Sequence, residues 1–80
     1  MRLDKFLKVS RIIKRRTVAN EACESSYVKL NGRPAKASAK VKPGDIIEIA
    51  FGNRTLKAEI LNTNENAKKD EAPQMFREII

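Results

Sequence analysis

Four consecutive residues, Lys14-Arg15-Arg16-Thr17, are the part of this chain best suited to binding chemistry. Three adjacent cations sit where one apolar-periodic segment, Leu3 to Ile13, hands over to another, Val18 to Cys23. A buried helix junction has no use for three positive charges. Thr17 is a residue type that caps helix N-termini, so Arg15 and Arg16 are expected to flank the start of a second helix. Helix N-termini offer free backbone N–H groups and a positive dipole end, both of which suit phosphate. Cations placed there oppose the dipole and need an external anion to be worth placing. Nucleic acid is the anion this pattern fits.

Two further groups of cations accompany that junction. Arg2, Lys5, Lys8 and Arg11 recur every third residue and, with Arg15, make a cationic stripe along the first helix. No Glu stands at four-residue spacing to pair with them, and like charges on a helix repel. Asp4 is the only acid nearby, within reach of Lys5 or Lys8, and is read as an orienting or dipole-facing residue. The second group is Lys29, Arg33, Lys36 and Lys40, with Asn31 among them. The candidate contacts are therefore Arg2, Lys5, Lys8, Arg11, Lys14, Arg15, Arg16, Thr17, Lys29, Asn31, Arg33, Lys36 and Lys40. Arginine can grip phosphate with two parallel N–H bonds, whereas lysine acts as a point charge.

Composition supports the same class. Residues 1–42 hold 12 Lys and Arg against 3 Asp and Glu, net +9, while residues 43–80 hold 5 against 7, net −2, within a total of +7. A basic half on one small domain is the electrostatic footprint of a nucleic-acid binder. Its apolar residues recur at structured periods, which argues against disorder. Tyr27 is expected to be exposed, and Phe6, Phe51 and Phe76 to lie in the core. So few exposed aromatics argue against a stacking platform for single strands and favour reading a folded RNA by backbone and shape.

The chain holds no His and one Cys. Cys23 can form no internal disulfide, no Cys–His nucleophile and no mixed Cys/His metal site, and is read as a small core residue. With no clustered carboxylates and no Gly-rich phosphate loop, neither catalysis nor a cofactor is expected. No apolar run reaches bilayer length and no signal peptide opens the chain, so a cytoplasmic protein with no membrane contact is expected.

These residues need elements to hold them. Leu3, Phe6, Leu7, Ser10 and Ile13 form one face of a first helix over residues 3–13. A second helix is expected over Val18 to Glu24, with Val18, Ala19, Ala22 and Cys23 inward. Ser26 stands where a glycine would usually end it. Tyr27 to Asn31 alternates like a strand, and Asn31-Gly32 signals a tight turn. Arg33 to Val41 reads as an irregular or edge segment, and Lys42-Pro43-Gly44-Asp45 as a type II turn. Ile47, Ile49 and Phe51, then Leu56, Ala58 and Ile60, supply two inward strand faces. The polar stretch from Asn62 to Glu71 resembles a flexible linker. Pro73 is expected to start a short helix carrying Met75, Phe76 and Ile79. The division is thus residues 1–62 as the domain and 63–80 as linker and tail.

Five blocks carry a resemblance: Arg2-Leu3-Asp4-Lys5-Phe6-Leu7, Lys14-Arg15-Arg16-Thr17 with Ala19, Val28-Lys29-Leu30-Asn31-Gly32, Lys36-Ala37-Ser38, and Val41-Lys42-Pro43-Gly44-Asp45. Over residues 1 to 50 the chain resembles an S4-type RNA-binding domain, shared by a small-subunit ribosomal protein, pseudouridine synthases and heat shock protein 15. The resemblance implies an α+β, S4-like (αL motif) fold: two N-terminal helices packed on a small, twisted, mostly antiparallel sheet, with a short C-terminal tail. The opening Met1 to Arg11 and the Ala35-Lys36-Ala37-Ser38 block look particularly like the short, stand-alone RqcP-type branch.

That branch implies an RNA-binding accessory factor of bacterial ribosome-associated quality control. It would bind 23S rRNA and peptidyl-tRNA on obstructed 50S subunits, beside an RqcH-type factor that adds C-terminal alanine tails. The resemblance places Arg2 and Arg16 on RNA-contacting positions. Two alternatives stay open: recycling of dissociated 50S subunits as by heat shock protein 15, or a protein-interaction module acting through Met75 to Ile80. A monomer is expected.

Overall fold

The computed structural model describes residues 1–79; Ile80, the end of the expected interaction tail, lies outside them. Helix α1 (Leu3–Val9) buries Leu3, Phe6 and Leu7 at the expected three-four spacing. It stops four residues before Ile13. Ser10 closes it, donating its hydroxyl to the Leu7 carbonyl at 3.3 Å, and Arg11 turns left-handed at φ 62°. The Arg11 and Ile13 amides then bond back to the Lys8 and Leu7 carbonyls, both at 3.1 Å. This reversal satisfies carbonyls that a helix end leaves open. Ile13 reaches the core because the chain folds back, so its place in the helical period does not reflect a longer helix.

Helix α2 (Arg16–Glu24) begins before Thr17, correcting the expected cap. Arg15 holds the extended conformation of a cap, and its carbonyl accepts from the Ala19 amide at 3.0 Å. Thr17 lies inside the first turn and makes no cap bond. The face that turns inward carries Ala19 and Cys23, with Ala22 half-buried, whereas Val18 is 46% exposed rather than inward. At its end, the Ser26 amide reaches the Cys23 carbonyl (3.1 Å) and the Tyr27 amide the Ala22 carbonyl (2.9 Å). This is a Schellman closure with Ser26 at φ 65° in the position that favours glycine.

One antiparallel sheet follows: β1 (Val28–Leu30), β2 (Arg33–Pro34), β3 (Ile46–Phe51), β4 (Arg54–Ile60) and β5 (Phe76–Ile79), in the order β2-β1-β3-β4-β5. Asn31 and Gly32 join β1 to β2 at φ 52° and 84°, both positive, as a two-residue type I′ hairpin turn demands. Gly44, at φ 96°, sits at the third position of the Lys42–Asp45 turn, closed by the Asp45 amide on the Lys42 carbonyl at 3.1 Å. Val28, Ile47, Ile49, Ala58 and Ile60 face the helices and are buried. Each large apolar side chain so buried contributes about 1.5–3 kcal/mol. Phe51, expected in the core, is 44% exposed: it flanks the β3–β4 turn in the last cross-strand pair, opposite Arg54.

The C-terminal residues depart most from expectation. Pro73 opens no α-helix. A single 3-10 turn (Ala72–Gln74) leads into β5, which adds to the edge of β4. Met75 is fully buried and Phe76 partly so. The spacing of Met75, Phe76 and Ile79 fits a helical period and not a strand's alternation, but the open edge of β4 and the Arg77–Glu59 pair (2.7 Å) favour the strand. Between the two, the Asn62 and Asn64 side chains accept from the amides two residues on, and Ala67 packs against the core.

A left-handed residue with a side chain is strained by about 1 kcal/mol. Ser26→Gly should therefore raise stability by about 0.5–1 kcal/mol after its unfolded-state entropy is discounted, read as a Tm higher by a few degrees in thermal unfolding. An unchanged or lower Tm would mean that Ser26 is not strained.

Candidate nucleic-acid interface

The helix face that carries the expected arginines is organised by a carboxylate. Asp4 lies in the first turn of α1 with its residue only 2% exposed. Its Oδ1 accepts from the Lys5 amide at 2.8 Å and from Arg2 Nε at 3.2 Å. Its Oδ2 accepts from Asn20 Nδ2 at 3.4 Å, Arg2 Nη2 at 3.4 Å and Arg16 Nε at 3.5 Å. Burial works to raise the Asp4 pKa. The Asn20 and Arg16 hydrogen bonds and the Arg16 and Arg2 charges outweigh it and hold the carboxyl below its ordinary value. The two guanidinium groups stay about half exposed, 48% and 47%. One buried anion thus fixes two cations side by side and leaves their outer N–H groups for a ligand.

Asn20 was not among the residues singled out by sequence, yet a signal was present. Arg16, Asn20 and Glu24 are spaced by four and share one face of α2. Glu24 closes that face by accepting from the Ala37 amide at 3.1 Å. The segment from Lys36 to Lys40 is strapped across the start of α1. The Leu3 amide donates to the Ala39 carbonyl (2.7 Å) and the Asp4 amide to the Ala37 carbonyl (3.2 Å). Ala37 is buried, Ala39 half-buried, and Lys36, Ser38 and Lys40 are exposed. Lys40 also pairs with Arg2 in an isolated antiparallel bridge, which sends both side chains to the same side. Arg2, Arg16 and Lys40 are thereby brought together, with Lys36 on the adjoining strap.

The other candidates are placed less centrally. Lys5 is paired with Glu65 at 3.3 Å, and Lys8 is exposed in the last turn of α1. Arg11, Lys14 and Arg15 lie on the reversal between the helices rather than on a continuous stripe, and all are exposed. Thr17 is exposed on the first turn of α2, in a shallow groove it shares with Asp4, Arg16, Asn20 and Glu21. Arg33 stands on the edge strand β2, and Lys29 on the sheet face away from the helices. Both amide atoms of Asn31 are engaged within the fold, to Asp45 and to the Ile46 amide. Among the described residues, none of Lys8, Arg11, Lys14, Arg15, Arg33, Lys36 or Lys40 enters a salt bridge. Of these, Lys40 and the strap residue Lys36 adjoin the arginine pair, and Arg15 precedes Arg16 in the chain.

Cys23 sits beneath this face. Burial, and then the charges of Asp4 and Glu24, push its thiol up to about 11, so it stays a neutral packing group. Among the described residues no cluster of His, Cys, Asp or Glu suits a metal, and no helix is long and apolar enough to cross a membrane.

Comparison with known proteins adds three findings. The S4 domain family model matches residues 1–47. The chain is 51% identical over 76 residues to the RQC P-site tRNA stabilizing factor of Halalkalibacterium halodurans, covering 95% of this chain and 86% of that one. It is 47% identical over 76 residues to the protein so named in Bacillus subtilis, covering 95% and 88%. Among solved structures, trimeric Vibrio cholerae heat shock protein 15 matches with a TM-score of 0.90 at 32% identity, over 99% of this chain and 81% of that chain.

Because the folded-state pKa of Asp4 is depressed, its contribution is present in full above the ordinary value of 3.8 and is lost as pH falls through the folded value. Asp4→Asn should lower unfolding free energy at neutral pH by about 1–3 kcal/mol. The deficit should shrink in urea melts repeated near pH 3. A deficit that does not change with pH would show that the charge is not what the donors hold.

Proposed function

The chain belongs to the S4 domain family, on the branch of the RQC P-site tRNA stabilizing factors, and from that membership we propose that it stabilises tRNA on ribosomal large subunits in quality control of stalled translation. The observation that carries this reading is the Asp4-held pair of Arg2 and Arg16, accompanied by Arg15, Lys36 and Lys40, none of which enters a salt bridge among the described residues. Two guanidinium groups fixed side by side can grip adjacent phosphates, because their orientation is settled before binding. The proposed ligands are 23S rRNA and peptidyl-tRNA on an obstructed 50S subunit. Arg2, Lys5, Arg15 and Arg16 would hold rRNA phosphates, and Arg33, Lys36 and Lys40 a neighbouring strand of rRNA or tRNA.

The proposed work is positional, without a catalytic step. A monomer bridging two nucleic-acid segments neutralises their mutual repulsion and holds one tRNA geometry while an RqcH-type factor extends the stalled chain with alanine. Likeness to heat shock protein 15 favours a second reading, in which the same surface recycles dissociated subunits. Sucrose-gradient sedimentation of the tagged protein separates the two: co-migration with large subunits carrying peptidyl-tRNA and the tailing factor supports the first. Large subunits without the tailing factor support the second, and absence from ribosomal fractions at low and moderate salt removes both.

Arg16→Ala should weaken binding to rRNA fragments and reduce the slope of log K against log salt by about one phosphate contact. An unchanged slope in a folded variant would exclude Arg16 as a phosphate contact.

A further inference from the structure

The chain has one Asn-Gly pair, Asn31-Gly32, and it sits at the base of the basic loop. In such a pair the glycine amide nitrogen is unhindered and can attack the preceding side-chain carbonyl carbon. Asn31 is restrained at both ends of its amide. Nδ2 donates to Asp45 Oδ1 at 3.1 Å, and Oδ1 accepts from the Ile46 amide at 2.9 Å. Asp45 is itself buried, 6% exposed, and its Oδ2 accepts from the Lys42 amide at 3.0 Å. These bonds tie the Asn31-Gly32 turn to the Lys42–Asp45 turn. They close the loop of residues 32–44, which carries Arg33, Lys36 and Lys40 and straps the start of α1 through Ala37 and Ala39. The latch is a single carboxamide held between the Asp45 carboxylate and the Ile46 amide.

We propose that Asn31 is a latent deamidation site, protected by this latch, whose conversion to a carboxylate releases the loop that carries Arg33, Lys36 and Lys40. The Gly32 nitrogen gives up its proton and bonds to Asn31 Cγ, the Cγ–Nδ2 bond breaks, and Nδ2 leaves as ammonia after taking up one proton. Water then opens the five-membered imide to aspartate or isoaspartate. The net change is one water consumed and one ammonia released, with no oxidant or catalyst. While Nδ2 and Oδ1 are both held, Cγ cannot rotate towards the Gly32 nitrogen, so the reaction waits for local opening. The product cannot restore the latch: it lacks the Nδ2 donor and sets a second carboxylate against Asp45. Asn31 then acts as a positioning residue for the basic loop, and the modification is one-way.

The chemical half is tested by incubating the full chain at neutral pH and 37 °C, with and without denaturing urea, and following the one-dalton gain at the Asn31 peptide by mass spectrometry. The folded chain should deamidate at least about tenfold more slowly than the unfolded one, and Asp45→Ala at least about threefold faster than the natural chain under folding conditions. Equal rates folded and unfolded would overturn the protection. If Asp45→Ala fails to fold, hydrogen exchange at the Ile46 amide of the natural chain takes its place; fast exchange there would equally remove the latch.

The second half rests on the proposed RNA function. The aged, charge-shifted fraction, separated by ion exchange, should bind an rRNA fragment at least about threefold more weakly and expose the Leu3 and Asp4 amides to exchange. Unchanged exchange there would sink loop release, whereas released amides with unchanged RNA affinity would count against the placement of the RNA and leave the chemistry standing.

Discussion

A carboxylate shut away from water is costly unless donors surround it, and the basic half of this protein is arranged around that requirement at Asp4. Its acceptor sites take an amide from its own helix, a carboxamide from the second helix and two guanidinium groups. Meeting that demand fixes where α2 crosses α1, because Arg16 and Asn20 must both reach the same oxygen. It also fixes where the chain enters α1, because Arg2 must fold back over the first turn. The polar network sits on the core cluster that includes Leu3, Ala19 and Cys23, so apolar packing and charge placement are set by the same crossing.

The strap of residues 36–40 completes this arrangement from the sheet side. A helix start needs partners for its first amides, and in α1 the cap residue Arg2 supplies none with its side chain while Asp4 serves only the Lys5 amide. Backbone carbonyls of Ala37 and Ala39 take that role, and Glu24 anchors the strap in turn. Lysines on the strap are therefore carried by backbone hydrogen bonds rather than by their own packing. Their side chains remain free while their Cα positions are held, a division that suits contact with a charged, variable surface.

Sequence alone disclosed the parts of this design that depend on local chemistry. Apolar spacing identified Leu3, Phe6 and Leu7; the turns at Asn31-Gly32 and Gly44 announced their own backbone angles; and Ser26 marked a left-handed site by the glycine it lacked. The end of α1 was hidden because Arg11, a residue that rarely takes positive φ, makes the turn, and Ile13 mimics another helical step. The start of α2 was misplaced by two residues because Arg15 caps with its backbone alone. Strand β5 was illegible because Phe76-Arg77-Glu78-Ile79 has no clean alternation, and the edge of β4 decides its conformation. Asn20 was overlooked because its partner is distant in sequence, although its spacing from Arg16 and Glu24 was visible.

Strand β5 has a further effect on how copies of this chain meet. Ile60 bonds towards β3, so in the antiparallel ladder Glu59 and its partner Arg77 bond to each other, leaving the backbone groups of Phe76 and Glu78 on the open side. Two such strands can pair only with outward residue facing outward residue. The central registers then set Arg77 against its own copy, or Glu78 against its own copy, and like charges directly opposite are unfavourable. At the other margin Pro34 withholds an amide donor from β2. Both margins of the sheet thus work against fibre-like growth.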